Sequence, residues 1–300
     1  MARGETAVEG RLLGRAAEIG RVLARHLREA RSEDASDATR ARRLRAALEE
    51  LGPTFAKLGQ IASTRADLLP VAYVVELEQL QDRVPPMQEA EVVAVMERAL
   101  GVPWEDVFES IEPTPLAAGT IGQVHRATLE GGERVVVKVQ RATAADDVLR
   151  DLGLLEAFAA RIPAGSVLRR IVDVPAIVDH LASSLRRELD FRLEAANADR
   201  LPEAIAGYPL LGVPRIHHGL TSARLLVMEL VDGVPIREAP AGDGRRDAAR
   251  QLLESYYRQI LEDGFFHADP HPGTCSGRTG ASSSSTWGWS ARSSRACASS

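Results

Sequence analysis

The sequence predicts an α+β fold preceded by a helical N-terminal extension. Apolar residues recur at helical spacing, punctuated by prolines, through residues 40–100. Two β-branched runs, 121–129 and 133–140, are separated by Gly131-Gly132, which is typical of a β-hairpin. Helical patterns then dominate the chain up to residue 263. Helices, then strands mixed with helices, then helices again favour an α+β domain.

The first predicted helix, residues 11–31, is basic and amphipathic. Such a helix either binds an anionic membrane surface or packs on its own domain with its arginines in solvent, and we favour the second interpretation. A polar linker is predicted over 32–39. The apolar stripe consists of Leu12, Ala16, Ile19, Leu23 and Leu27. The arginines on the other faces are Arg11, Arg15, Arg21, Arg25 and Arg28.

The remaining elements follow from the same periodicities. Two short strands are predicted at 213–218 and 224–231. Helices are predicted over residues 40–51, 54–67, 71–83, 88–100, 143–160, 175–200 and 246–263.

Composition excludes several classes of protein. A net charge of −5 argues against a nucleic-acid binder, which would carry a basic face. The sequence contains no run of about 18 apolar residues, so no transmembrane helix is predicted. The N-terminus has no apolar signal segment. The only cysteines, Cys275 and Cys297, lie near the C-terminus. A disulfide framework is therefore excluded, and a cytoplasmic setting is expected.

Residues 274–300 differ in texture from everything before them. They contain no Leu, Ile, Val, Asp or Glu and are dominated by Ser, Arg, Gly and Ala, yet they carry Trp287 and Trp289. Disordered linkers seldom combine tryptophan and cysteine with no acidic residue. Serine-rich low complexity is one explanation of this tail. We favour translation of a GC-rich gene in a shifted reading frame.

Residues 117–124 match the loop that covers nucleotide phosphates in kinases. The pattern is G-x-G-x-x-G-x-V, with Ala117 at the first glycine. Small residues there let backbone N–H groups approach phosphate oxygens. Other glycine-containing hairpins also fit, so the weight of the match comes from the strand that follows. The segment reads Ala117-Ala118-Gly119-Thr120-Ile121-Gly122-Gln123-Val124.

Lys138 interrupts the apolar strand 135–139. A buried ammonium group needs a partner, and nucleotide phosphates are the expected one. The alternative is a lysine that extends to solvent, which we set aside because the glycine loop precedes it. Lys138 also needs a carboxylate, and Glu188, Asp190 and Glu194 on a predicted helix offer three. Asp190 and Glu194 share a helical face, but spacing does not select among them.

Two later segments carry further candidates. Glu229 ends a predicted strand and is a candidate for the hinge whose backbone contacts adenine. Asp269 lies in the heptapeptide His-Ala-Asp-Pro-His-Pro-Gly at 267–273 and is a candidate to orient a nucleophile or accept its proton. His267, Asp269 and His271 alternate and also allow a metal site. A rigid polar turn is the third interpretation.

Together these segments resemble the UbiB family of atypical kinase-like proteins, also called the aarF-domain-containing kinases. Phe55-Ala56-Lys57-Leu58-Gly59-Gln60, continuing to Pro70, is similar to the KxGQ signature of that family, which ordinary kinases lack. Lys57 and Gln60 are three residues apart, on one helical face. The resemblance covers roughly residues 40–273, and its motifs occur in the family's order.

The resemblance implies a protein-kinase-like fold with an N-terminal helical extension and an incomplete helical C-lobe. It implies that Lys138 pairs with Glu194 and that Asp269 is the catalytic aspartate. Lys57, Gln60, Glu188 and Asp190 would belong to an added layer over the active site, which excludes protein substrates and favours ATP hydrolysis or phosphorylation of small molecules. The expected nucleotide contacts are Ala117, Ala118, Gly119, Thr120, Gly122, Val124, Lys138 and Glu229.

The implied cofactor is ATP or ADP with magnesium, and the implied process is biosynthesis of isoprenoid quinones such as ubiquinone, often at membranes. Two departures concern the metal. Thr274 stands five residues after Asp269, where the family has asparagine, and the following Asp-Phe-Gly segment is absent. Magnesium neutralises charge during phosphoryl transfer, so we expect no intact metal site and disabled chemistry. We also expect apolar surface at 246–266 to be uncovered.

The leading hypothesis is therefore a C-terminally truncated, ATP-binding atypical kinase. The alternatives are a non-catalytic pseudokinase-like scaffold and a metal-dependent hydrolase centred on His267, Asp269 and His271. Besides nucleotide, candidate partners are a lipid or quinone precursor and a membrane surface. The predicted divisions are a basic helix and linker at 1–39, a helical extension at 40–112, an N-lobe at 113–244, the start of a C-lobe at 245–273 and an aberrant tail at 274–300.

Overall fold

The structure is a computed structural model of the 300-residue chain. Two compact units form the chain. The first contains Met1–Val84, Gly119–Ile121 and Thr143–Arg187, and the second contains Pro85–Ala118, Gly122–Ala142 and Glu188–Ser300. The residues that the structure describes are 2–29, 36–63, 69–80, 85–161, 174–231, 234–235, 242–267, 275–277, 287–289 and 296–298.

An antiparallel sheet of five strands lies at the centre of the second unit. Strands β1 (Phe108–Ile111) and β2 (Ala117–Ala118) both pair with β3 (Gly122–Leu129). Strand β3 pairs in turn with β4 (Arg134–Gln140). The far edge of β4 pairs with a later strand, Leu225–Glu229. Strand β4 is therefore interior, with a neighbour along each edge.

The predicted hairpin is confirmed. Strands β3 and β4 pair from Gly122 opposite Gln140 to Thr128 opposite Arg134. Gly132 has a φ of +79°, in the left-handed region that favours glycine, and its N–H donates to the carbonyl of Leu129 at 2.8 Å. The glycine pair therefore supplies the turn that its sequence indicated.

Helix α5 (Glu89–Leu100) contributes to the core beside this sheet. It ends at Gly101, whose φ of +77° forms a left-handed cap. Successive side chains of a strand point to opposite faces, so Val135, Val137 and Val139 share one face. The buried cluster contains Met87, Val92, Val95, Met96, Phe108, Ala127, Val135, Val137, Val139, Leu225 and Val227.

The first unit is helical. Helices α1 (Ala2–Glu29), α2 (Asp37–Leu51), α3 (Pro53–Ser63) and α4 (Val71–Leu77) come first. Helix α6 (Ala144–Arg161) and most of helix α7 (Val174–Glu188) complete this unit. Helix α2 begins within the predicted linker, because the Ser36 side chain accepts a hydrogen bond from the Thr39 N–H and caps it. The linker prediction was therefore wrong from Asp37 onward, and residues 32–35 lie outside the described residues.

Helix α1 packs on its own unit, as the favoured interpretation predicted. Val22 is buried, and Ile19 and Leu23 pack beside it against the core formed by α2, α3 and α4. Arg21, Arg25 and Arg28 remain exposed. Ile19 and Leu23 of the apolar stripe are therefore used in packing within this unit.

A buried ion pair fastens α1 to α6. Arg15 donates through Nε and Nη2 to the two carboxylate oxygens of Asp151 at 2.8 and 2.7 Å. Its Nη2 also donates to the Leu51 carbonyl, and its guanidinium lies 5.8 Å from the centre of the Phe55 ring. Asp151 is 2% exposed and raises the pKa of Arg15. One guanidinium thereby joins helices that are distant in sequence.

The predicted helix over 175–200 is two helices. Helix α7 ends at Glu188, and α8 (Phe191–Ile205) begins after Asp190, whose backbone is extended, with φ −121° and ψ 98°. The Asp190 side chain accepts a hydrogen bond from the Arg192 N–H, as an N-cap residue does. The helical spacing of apolar residues continues through 175–200, but the cap at Asp190 starts a new helix there. The prediction of a single helix was therefore wrong.

The C-terminal part differs in detail from the prediction. The segment 213–218 contributes a single bridge, Ile216 to Met228, and β5 (Leu211–Gly212) precedes it. Strand β6 (Leu225–Glu229) lies within the predicted 224–231. Helix α9 (Asp243–Arg258) continues into a π-helical turn over Gln259–Asp263. The short strands are β7 (Val234–Pro235), β8 (Phe265–His267), β9 (Cys275–Gly277), β10 (Trp287–Trp289) and β11 (Ala296–Ala298).

The structure groups residues differently from the predicted limits. The sheet begins at Phe108, before the predicted N-lobe start at 113, and helix α5 belongs to the sheet unit. Helix α6 and most of α7, predicted within the N-lobe, belong to the helical unit. The predicted limits were set where helices give way to strands along the sequence. The units differ because each helix packs where its apolar face is buried, whatever its place in the sequence.

An apolar stripe on α9 and its π-turn is exposed. Leu253, Tyr257, Ile260 and Leu261 are 57, 60, 47 and 77% exposed. Their spacing is that of a helix face usually buried in a core. The expected uncovered surface within 246–266 is thus present. None of the helices described is long and apolar enough to cross a membrane.

Replacing Arg15 by leucine should lower the free energy of unfolding by about 3 kcal/mol, because Asp151 would remain buried without its main partner. Urea denaturation followed by circular dichroism measures this change. Arg15→Leu with Asp151→Leu should recover most of the loss, and Arg21→Leu, on the exposed face of the same helix, is the control. A loss for Arg15→Leu no larger than for Arg21→Leu would contradict the assignment.

Candidate functional site

The glycine loop of the sequence joins β2 to β3. Ala117 pairs with Val124 and Ala118 with Gln123, so the strands close immediately around the loop. The Leu116 N–H donates to the Val124 carbonyl at 2.7 Å and extends this pairing by one residue. Gly119, Thr120 and Ile121 form the connecting bend. The predicted loop is therefore a tight hairpin with fixed ends.

Gly122 is required by packing. A β-carbon at this position would meet the backbone carbonyl group of Val139 on β4. Backbone atoms inside a sheet cannot move aside as a flexible side chain can. The last glycine of the loop therefore allows β3 to lie directly against β4, whatever the loop binds.

Lys138 lies in the interior strand, opposite Val124 on one side and Leu226 on the other. Its Nζ is 2.6 Å from Oε2 of Glu194 on helix α8. The side chains of Lys138 and Glu194 are only 20% and 12% exposed. The ammonium also lies 4.7 Å from the centre of the Phe191 ring, within range of a cation–π contact. The pair that the resemblance implied is present in the structure.

The three carboxylates that sequence spacing left open have different positions. Glu194 lies in the first turn of α8 and meets Lys138. Asp190 caps that helix and accepts hydrogen bonds from the Arg192 guanidinium, which hold the pKa of Asp190 below its ordinary value. Glu188 is the last residue of α7. Asp190 and Glu194 therefore do not share a helical face, because Asp190 is outside the helix.

Gln140 is a site residue that the sequence did not reveal. It is 1% exposed, and its Nε2 donates to the Leu189 carbonyl at 2.8 Å. Leu189 is in the break between α7 and α8, so this bond ties the end of β4 to the point where α8 begins. No sequence pattern distinguishes Gln140 from an exposed strand-end glutamine.

Glu229 ends β6, but its backbone N–H is already used. It donates to the Arg215 carbonyl at 2.8 Å. The Leu230 N–H donates to the Arg134 carbonyl at 3.1 Å. The Glu229 N–H is therefore engaged by Arg215, and the contact of the Glu229 backbone with adenine stays a prediction.

The KxGQ segment forms helix α3 in the first unit. Lys57 is buried, and Gln60 donates through Nε2 to the Leu80 carbonyl at 3.2 Å. A β-carbon on Gly59 would meet the side chains of Leu80 and Leu48, so this glycine permits close helix packing. Within this unit, the glycine and the glutamine both hold α3 against its neighbours.

Several predicted residues lie outside the described residues. They are Asp269, His271, Thr274 and the Thr64 to Leu68 part of the signature. The backbone of His267 belongs to β8, but its side chain is not described. Among the side chains that are described, no group of three or more His, Cys, Asp or Glu is arranged to hold a metal ion.

A further signal is the scarcity of lysine. Of 37 basic residues, only Lys57 and Lys138 are lysine, and the others are arginine. Lysine and arginine are not interchangeable where a compact ammonium must enter a confined site. The two positions that retain lysine are the two at which the motifs require it.

Residues 79–279 match the ABC1 atypical kinase-like domain. The chain belongs to this family. It is 42% identical over 240 residues to a probable protein kinase UbiB of Marinobacter nauticus. The aligned region covers 78% of this chain and 44% of that relative. A chloroplastic relative from Arabidopsis thaliana, the protein ACTIVITY OF BC1 COMPLEX KINASE 8, is 42% identical over 231 residues, 74% of this chain and 30% of that protein.

The chain thus spans less than half the length of these relatives. Among solved structures, the complex of Rv3197 with erythromycin from Mycobacterium tuberculosis superposes with a TM-score of 0.50. It is 24% identical and covers 91% of this chain and 63% of the other. This likeness agrees with the kinase-like α+β fold that the sequence predicted.

Gly122→Ala should lower the free energy of unfolding by about 1–3 kcal/mol, because its β-carbon would press on the Val139 carbonyl. Thermal or urea unfolding measures the loss. Gly131→Ala is the matched control, since a β-carbon there meets nothing within 4 Å. Equal stability of the two variants would contradict the packing role of Gly122.

Proposed function

We propose that this chain binds ATP or ADP as a UbiB-type, kinase-like protein. The observation that carries the proposal is the 2.6 Å contact between Lys138, on an interior strand whose neighbouring valines are buried, and Glu194 on helix α8. In kinases a strand lysine held by a helix glutamate contacts the nucleotide phosphates. The family match and the hairpin loop before this strand support the same assignment.

The chemistry of the pair suits phosphate. A lysine ammonium has three donors, and one Glu194 oxygen takes one of them. The carboxylate orients the ammonium, while the remaining donors can meet phosphate oxygens. Backbone N–H groups of the glycine loop would also contact phosphate, and the backbone of Glu229 would meet the adenine. Val124, buried opposite Lys138, would line the space beneath.

We further propose that this chain transfers no phosphoryl group. Magnesium ligands are required to bridge and neutralise the phosphates. Thr274 stands at the position of the family's metal-binding asparagine, and residues 274–300 contain no aspartate or glutamate. Thr274 therefore does not reproduce the metal-binding asparagine of the family, and Asp269 alone does not supply a magnesium site. A nucleotide-binding scaffold without turnover is the function that this observation favours.

The wider role is proposed from the relatives. The bacterial relatives named UbiB suggest a link to isoprenoid quinones such as ubiquinone, with a quinone precursor or other lipid as the substrate class of the whole protein. Lys57, Gln60, Glu188 and Asp190 would serve there as the layer that excludes protein substrates. A peripheral position at a membrane would follow from such a substrate.

Lys138→Ala should weaken ADP binding at least about tenfold, because the phosphates lose a charged donor. Titration calorimetry measures the dissociation constant. Arg134→Ala is the control, since it removes one positive charge from the exposed start of the same strand. Unchanged ADP affinity in Lys138→Ala would contradict the phosphate role.

The same preparation tests turnover. Phosphate release from ATP with magnesium should stay at the level of the Lys138→Ala variant. Magnesium-dependent release that is lost in Lys138→Ala would establish catalysis and overturn the scaffold assignment, while leaving nucleotide binding intact.

A further inference from the structure

Gln123 and His125 are two buried polar residues that the nucleotide site does not use. They are 1% and 3% exposed and lie two residues apart on β3, hence on the same face of the sheet. Buried polar side chains are costly unless their hydrogen bonds are made. Their partners therefore show what the strand is built to hold.

The hydrogen bonds have one consistent direction. The Met87 N–H donates to Oε1 of Gln123 at 2.7 Å, so the amide nitrogen of Gln123 is the group that faces His125. That nitrogen lies 2.8 Å from Nε2 of His125 and donates to it. The proton of the neutral imidazole is then on Nδ1, which donates to the Glu112 carbonyl at 2.8 Å. These three hydrogen bonds form a chain from Met87 through Gln123 and His125 to Glu112, which we call the relay. Each donor along the relay meets an acceptor.

The relay reaches both ends of the phosphate loop. Gln123 comes directly after Gly122, where the loop joins β3, and its side chain anchors that point to Met87. Glu112 follows β1 and begins the segment that leads into β2. The Glu112 N–H donates to the Arg126 carbonyl at 2.9 Å, so backbone and relay together hold this entry segment against β3.

We propose that Gln123 and His125 are positioning residues for the nucleotide loop. They set the entry and the exit of the loop, so that the N–H groups of Gly119–Gly122 keep one spacing before nucleotide arrives. This inference rests on the proposed nucleotide binding for its consequence, but the positioning itself is a property of the chain without ligand. Pre-organised donors bind more tightly than donors that must be ordered on binding.

The rival explanation is that the relay only stabilises the core. Any substitution that leaves Met87 or His125 unpaired lowers stability, so stability alone does not distinguish the two. A variant with a similar loss elsewhere in the same core does. Val135→Ala is suited to this, since Val135 is fully buried on β4 and belongs to the core that contains Met87.

The experiment compares Gln123→Leu with Val135→Ala. Hydrogen exchange of the loop amides, measured without nucleotide, should become about tenfold faster in Gln123→Leu and stay near the wild-type rate in Val135→Ala. The dissociation constant for ADP should rise about tenfold in Gln123→Leu alone. Arg126→Ala, which removes only the exposed ion pair to Glu112, should change neither.

Equal loop exchange in Gln123→Leu and Val135→Ala would overturn the positioning role. Faster exchange in Gln123→Leu, in a protein whose wild type does not bind ADP, would keep the positioning role and refute the nucleotide function instead. If Gln123→Leu does not fold, His125→Asn provides the same comparison, because asparagine can donate to the Glu112 carbonyl while losing the bond to Gln123.

Discussion

The ammonium group of Lys138 is the constraint on which the proposed nucleotide site depends. It lies on an interior strand whose residues Val135, Val136, Val137 and Val139 are all at most 3% exposed. Such a charge must be matched, and Glu194 matches it at 2.6 Å. Glu194 is in place because helix α8 starts two residues after Leu189, at the cap formed by Asp190. The bond from Gln140 to the Leu189 carbonyl fixes that starting point relative to β4.

The scarcity of lysine in the sequence also supports a contact between Lys138 and nucleotide phosphates. A chain that uses arginine for every other cation keeps lysine at 57 and 138 only. Arginine elsewhere performs structural work, as Arg15 does with its two parallel bonds to Asp151. A planar guanidinium is suited to that bidentate contact, whereas a compact ammonium with three donors is suited to sharing between a carboxylate and phosphate oxygens. This difference supports the proposed contact between Lys138 and nucleotide phosphates.

Sequence predicted the parts of the fold that depend on local pattern. The β3–β4 hairpin followed from Gly131-Gly132, and the helical elements followed from their periodicity. The break at Asp190 was missed, because an aspartate that caps a helix and one that continues it have the same spacing. The Lys138–Glu194 pair came from the family resemblance, since spacing left three carboxylates open. The hydrogen-bonding roles of three buried residues could not be predicted, because their partners are distant in sequence. These residues are Gln123, His125 and Gln140.

The most direct test of the account is nucleotide protection of Lys138. With only two lysines, an amine-selective reagent such as an acetylating anhydride gives two side-chain products that mass spectrometry can separate. We predict that ADP slows modification of Lys138 at least about tenfold, as expected for an ammonium covered by bound phosphates. Equal modification of Lys138 with and without saturating ADP would contradict the account and leave the Lys138–Glu194 pair as a purely structural contact.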